Sequence, residues 1–196
     1  MSDDNEVMEV TYYPYEEVTL DNGSTFNVYT GTPVTVAADE PPPKNASQWK
    51  PHPASGGLVS YFDGNGWSMR ADVTKMTFAQ LQAVCTVKAQ NQYEIAMERA
   101  KAGYTASEQA SWTQQVAGAN EVLTGGTSAL IEALAEARGE DEKELAQKIV
   151  DKNDAFTKVS IAALTALNKT RAQINAATAV KDLPVITVFD LMTLPV

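Results

Sequence analysis

His52 is the only histidine of the 196-residue chain and stands between Pro51 and Pro53. One imidazole is too few for a histidine-based zinc site, and a nucleophilic triad would need it beside a buried aspartate. A surface loop position is the expectation. Cys85 is the only cysteine, so no intrachain disulfide is possible. It falls on the apolar face of a helical pattern, where a free thiol behaves as a small hydrophobe. "DNG" at 21–23 and "DGNG" at 63–66 suggest calcium loops, but the spaced oxygen ligands ending in a glutamate are missing. They read as turns. Glu16-Glu17 is an acid pair of the kind glycosidases use, with no carboxylate separation fixed by the sequence. Neither a phosphate-binding glycine loop nor HExxH or GxSxG occurs. The side chains therefore offer no catalytic set, cofactor site or metal site, and the chemistry left to consider is that of binding.

Aromatic residues are the candidates for it. Tyr12, Tyr13, Tyr15, Tyr29, Trp49, Tyr61 and Trp67 crowd the first third of the chain. Such rings either fill the core of a small sheet or form a platform for sugars or a protein hot spot. Tyr61 and Trp67 flank a tight turn and are the first expected partner contacts, joined by Tyr12, Tyr13 and Trp49. Trp112 stands alone in the polar, Ala-rich stretch "YTASEQASWTQQVAGANEVL" and is expected to anchor its helix on its neighbours, with Phe156 as a second anchor.

The elements that must position these residues change type along the chain. Residues 1–38 read as a β segment after an acidic "SDDNE" start. "VMEVTYYPY", "TFNVYTG" and "TPVTVAA" are rich in β-branched and aromatic residues, and "LDNGS" supplies an Asn-Gly turn. Pro14 and Pro33 predict edge strands or strand ends. Residues 39–57, with their proline cluster, read as a linker or an ordered crossing loop. "LVSYF" and "WSMRA" around "DGNG" form the strongest hairpin signal, over 58–73, and should join the first strands in one sheet. Leu58, Ser60 and Phe62 then share one face, Val59 and Tyr61 the other.

Helical periodicity begins at Thr77, which with Gln80 makes a capping box, and a helical domain is expected over 77–182. A second helix opens on the Thr105/Glu108 box and ends at Gly125-Gly126. A third covers about 128–138 and stops at Gly139. A fourth starts at Asp141, Asn153-Asp154 reads as a break, and a fifth runs to about Thr178. "LPVITVFDL", within 183–196, reads as a short final strand. The fold class expected is thus α+β, with about five helices behind a small antiparallel β module.

Composition narrows the partners. The chain is 44% hydrophobic and 20% charged, which suits a packed, soluble domain. A net charge of −10 disfavours nucleic acid and anionic membrane surfaces, both of which need basic patches. Residues up to Lys75 hold 11 Asp+Glu against 4 Lys+Arg, a local balance of −7. The N-terminus has neither a basic n-region nor an apolar h-region, and no apolar run approaches the ~20 residues of a membrane helix.

From Tyr104 to about Ala177 the chain resembles the helical C-terminal region of bacteriophage tail fibre assembly proteins, the tail fibre chaperones. The residues that carry the likeness are Tyr104-Thr105, Glu108 and Trp112, then a small-residue turn, "LIEALAEARG", "ELAQKI", Ala155-Phe156 and a closing amphipathic helix. "YFDGNGW" is similar to the short F-D-G-x-x-W hairpin that precedes those helices in the family. Lys169-Thr170-Arg171 stands where family members often have Gly-Arg. The resemblance implies a non-catalytic protein that binds a trimeric tail fibre and assists its folding, trimerisation or attachment. It implies no cofactor, leaves self-association open, and places the protein in the host cytoplasm during assembly or retained in the virion tail. The competing expectations are a structural tail component, such as a fibre-to-baseplate adaptor touching other tail proteins, and a hydrolase of host surface polysaccharide.

Overall fold

A computed structural model describes residues 8–193; the acidic start at 2–6 and the last three residues lie outside them. The chain is α+β and divides into two compact units. One holds the chain up to Ala89 and from Thr170 onward, the other Gln90–Lys169. The division between the units falls within two long helices.

The first unit is built on an antiparallel sheet of β1 (Glu9–Thr19), β2 (Thr25–Tyr29), β3 (Val34–Ala37), β4 (Ala46–Ser47), β5 (Leu58–Phe62) and β6 (Trp67–Ala71). The order is β3-β1-β2-β5-β6, with β4 on β1 off this path. β1 is therefore an inner strand, contrary to one reading of Pro14. Residues 9–12 of β1 pair with β3 and residues 15–19 with β2. Between these stretches Pro14 pairs with Ala46 of β4, and its carbonyl accepts from Thr30 N at 3.2 Å. Pro33 precedes the edge strand β3, as expected. The 39–57 segment is an ordered crossing loop: Tyr15 N donates to Asn45 O at 2.8 Å, and Ser60 Oγ donates to His52 O at 2.8 Å. His52 itself is exposed. The hairpin forms as read. Asp63 Oδ1 accepts from Asn65 N and Gly66 N, both at 2.8 Å, while Gly64 takes φ +95°, which a side chain would resist.

One sheet face carries the unit's core. Val18, Phe26, Val28 and Tyr61 share it by register, and Phe26, Val28 and Tyr61 are buried. Leu81, Val84 and Cys85 on the first turns of α1 (Phe78–Lys101), and Ile174 near the end of α4 (Glu142–Ala176), are buried in the same unit. The expected final strand is not formed. Residues 184–186 run extended, but side chains satisfy their backbone: Asn22 Nδ2 and Lys88 Nζ donate to Pro184 O and Val185 O, each at 2.9 Å, and Ser24 Oγ accepts from Ile186 N at 2.9 Å. Pro184 also lacks a ladder donor. Two short 3₁₀ turns, Val180–Asp182 and Asp190–Thr193, flank the segment, while Leu183, Ile186 and Leu191 supply buried apolar contacts.

The second unit is helical: the end of α1, then α2 (Ala106–Leu123), α3 (Ala129–Arg138) and most of α4. Four α-helices are present among the described residues, not five. Asn153-Asp154 does not break α4, which runs 35 residues. Asn and Asp each cost only about half a kcal/mol in a helix interior, against about 3 for proline. The apolar series Leu145, Ile149, Phe156 continues straight through them. The caps hold as expected. Thr77 N donates to Gln80 Oε1 at 2.8 Å, and Thr105 N to Glu108 Oε2 at 2.7 Å. The core is Ala119, Val122, Ile131, Ala135, Leu145 and Ala146. Burying Ile131 or Leu145 stabilises by about 1.5–3 kcal/mol each. Gly118 lets α2 and α3 approach: a Cβ there would lie 2.4 Å from Ser128 Oγ.

Candidate functional site

The face of the sheet opposite the core presents rings. β1 alternates, so Tyr13 and Tyr15 point away from the side of Val18. The Asn-Gly hairpin pairs Tyr15 with Tyr29, β2 sets Asn27 against Phe62, and the second hairpin sets Phe62 against Trp67. Register thus brings Tyr15, Tyr29, Phe62 and Trp67 onto one side. Their centroids lie 5.2 Å apart for Tyr15–Phe62 and Phe62–Trp67, and 5.5 Å for Tyr29–Trp67. Tyr13 extends the cluster, 6.3 Å from Tyr29. Edge and tilted pairs of this kind each add about 0.5–1.5 kcal/mol beyond the area they bury. All five rings are half-buried, so the cluster is neither a sealed core nor a bare surface.

The crossing loop finishes the site. Trp49 is 60% exposed and its ring stacks against Gly66, where a Cβ would lie 3.2 Å from Trp49 Cζ3. Trp67 Nε1 donates to the Trp49 carbonyl, which satisfies the indole and fixes the loop to β6. Burial first, and the neighbouring Tyr13 phenol second, raise the Tyr29 phenol above its usual range. The unit around this site holds 7 Lys+Arg against 13 Asp+Glu, a net of −6. A half-exposed ring cluster with one prominent tryptophan is the composition of a protein-binding hot spot.

Of the five expected contacts, the structure brings Tyr13, Trp49 and Trp67 together at this face. Tyr61 and Tyr12 are corrections. Tyr61 is fully buried on the opposite face, where its hydroxyl donates to Ala71 O at 2.9 Å and accepts from Val73 N at 2.8 Å. Tyr12 is 8% exposed and its hydroxyl accepts from Gln48 Nε2. The alternation of β5 assigns Tyr61 to the face of Val59, away from Phe62, and that is the signal that separates it from Trp67. Tyr15, Tyr29 and Phe62 are the site residues absent from the expected contacts, although folding the chain about Asn22 already pairs Tyr29 with Tyr15.

The anchors lie in the other unit. Trp112 meets Tyr104 edge-on at 5.1 Å and Phe156 at 5.4 Å. It is half-buried, not sealed, and with Phe156 it walls a groove. Glu16 and Glu17 are both exposed and, as neighbours on a strand, point to opposite sides of the sheet. Cys85 is 1% exposed, and burial pushes its thiol up to about 11. Among the described residues no cluster of three or more His, Cys, Asp and Glu could hold a metal ion, and no helix is long and apolar enough to cross a membrane. No protein-family model, curated protein or solved structure matches the chain at a significant level.

Proposed function

We propose that this chain is a non-catalytic binding protein that assists the assembly of a phage tail fibre, and that it grips the fibre through the ring cluster of its sheet. The observation that carries the binding reading is the set Tyr13, Tyr15, Tyr29, Phe62 and Trp67, held half-buried on one sheet face beside the exposed Trp49. The fibre as partner rests on the likeness of residues 104–177 and of the "YFDGNGW" hairpin to tail fibre chaperones. The physics of the task suits the site. Unassembled fibre strands expose apolar edges that aggregate, and a partner need only cover them until three chains pair. The sheet ends in β3 and β6, so strand addition at either edge would place a fibre strand alongside this unit.

Co-expression with the tail fibre of the same phage tests the proposal. Soluble trimeric fibre is expected only when both chains are present. Fibre that trimerises alone, with this chain recovered as a stoichiometric part of purified virions, would make it a structural tail component instead. Turnover of host polysaccharide by the isolated chain would make it an enzyme.

A further inference from the structure

The helical unit contains a groove of about 660 Å³ walled by α2 and α4, with Leu134 and Arg138 of α3 at one side. Its floor is apolar: Trp112 and Val116 from α2, Ile149 and Phe156 from α4, and the Tyr104 ring at the entrance to α2. The lining on α4 extends from Ile149 to Val159 and that on α2 from Ser107 to Val116. At 1.5 Å per residue each stripe is about 15 Å long, roughly three helical turns. Two parallel-length helical walls with rings between them match the groove that receives an amphipathic helix in helix-in-groove recognition.

The charge of the rim selects among such helices. The unit holds 8 Lys+Arg against 12 Asp+Glu, a net of −4. Three charged residues line the groove, and two are cations, Arg138 and Lys152. The third, Glu108, is engaged in its capping box, accepting from Thr105 N and Oγ1 at 2.7 and 2.9 Å. The Lys152 ammonium sits 5.8 Å from the Tyr104 ring centroid. Among the described residues neither Arg138 nor Lys152 belongs to an ion pair. Arg138 also favours the ionised Glu108 carboxylate, yet two cations against one anion leave the rim positive over its apolar floor in an otherwise acidic unit, complementary to an apolar stripe bordered by carboxylates. We infer that this groove docks an acidic amphipathic helix of a partner polypeptide, a contact separate from the ring cluster and independent of the fibre reading.

The test uses the full chain and two labelled synthetic peptides of about 14 residues, each with leucines at i, i+3, i+4 and i+7 spacing. One carries glutamates beside the stripe, its twin lysines. Fluorescence anisotropy should show saturable binding of the glutamate peptide and none of the twin. The Trp112 indole resonance should move on titration while those of Trp49 and Trp67 stay. Arg138 and Lys152 are both exposed, so the double variant Arg138→Gln, Lys152→Gln should fold normally, as circular dichroism will report. It should bind the glutamate peptide at least about tenfold more weakly at low salt. Equal binding of both peptides, an unaffected double variant, or saturation by laurate with neither peptide bound would overturn the inference.

Discussion

Tyr61→Ala is expected to unfold the sheet-bearing unit or bring it close to unfolding. Emptying a fully buried aromatic site costs about 3–5 kcal/mol, a large share of the stability of a unit this size. Tyr61→Phe separates the ring from its hydroxyl. It keeps the contact with Phe26, whose ring centroid lies 5.8 Å away, but leaves Val73 N–H and Ala71 C=O without the phenol that joins them. The expected cost is about 1–3 kcal/mol. The phenol also gives the unit an alkaline limit. Burial pushes its pKa up to about 12, against a lowering by the Val73 hydrogen bond and a further rise from Asp72. Because the folded value lies above the unfolded value of about 10, the contribution is complete below about pH 10 and lost as pH rises through about 12. Cys85, raised to about 11 chiefly by burial, adds to the same slope. Urea titrations from about pH 8 to about pH 11 should therefore show falling stability in the parent and a shallower fall in Tyr61→Phe. A Tyr61→Ala variant that melts like the parent would contradict the buried placement.

Trp112→Ala is expected to cost the helical unit about 2–3 kcal/mol, less than a sealed tryptophan because the ring is only half-buried. The loss combines the packing of the indole with its edge contacts to Tyr104 and Phe156. Trp112 is one of three tryptophans, so Trp49→Phe and Trp67→Phe together make it the sole reporter. Acrylamide should quench it to a degree between that of free indole and that of a sealed ring. Complete shielding, or unchanged melting of Trp112→Ala, would remove it from the groove wall.

What the sequence made legible follows the physics that is local. Capping at Thr77/Gln80 and Thr105/Glu108, the stop at Gly139 and the Asp63 turn each need only neighbours, and each formed where the residues indicate. The misreadings arose where distant groups decide. "LPVITVFDL" has strand composition, yet Asn22, Ser24 and Lys88 take its backbone hydrogen bonds, and no local pattern announces them. Asn153-Asp154 carries helix-breaking residues whose small cost the surrounding apolar series outweighs. The ring face was half legible. Its ring count was plain, but sorting Tyr61 from Trp67 needed strand alternation, and the role of Trp49 depended on a loop whose course is set by β1 and β6. Arg138 and Lys152 are ordinary surface cations in the sequence, and only the packing of α2, α3 and α4 puts them on one rim.

Trp49 offers the sharpest test of the ring cluster as the fibre contact. Its ring is 60% exposed and rests on Gly66, so Trp49→Ala should leave the melting of the sheet unchanged. A calorimetric titration of purified tail fibre with the parent and with Trp49→Ala measures the difference. Contact through this face should make Trp49→Ala lose about 2 kcal/mol, roughly thirtyfold in affinity, as for a hot-spot tryptophan. Equal affinity of the two proteins for the fibre would contradict it.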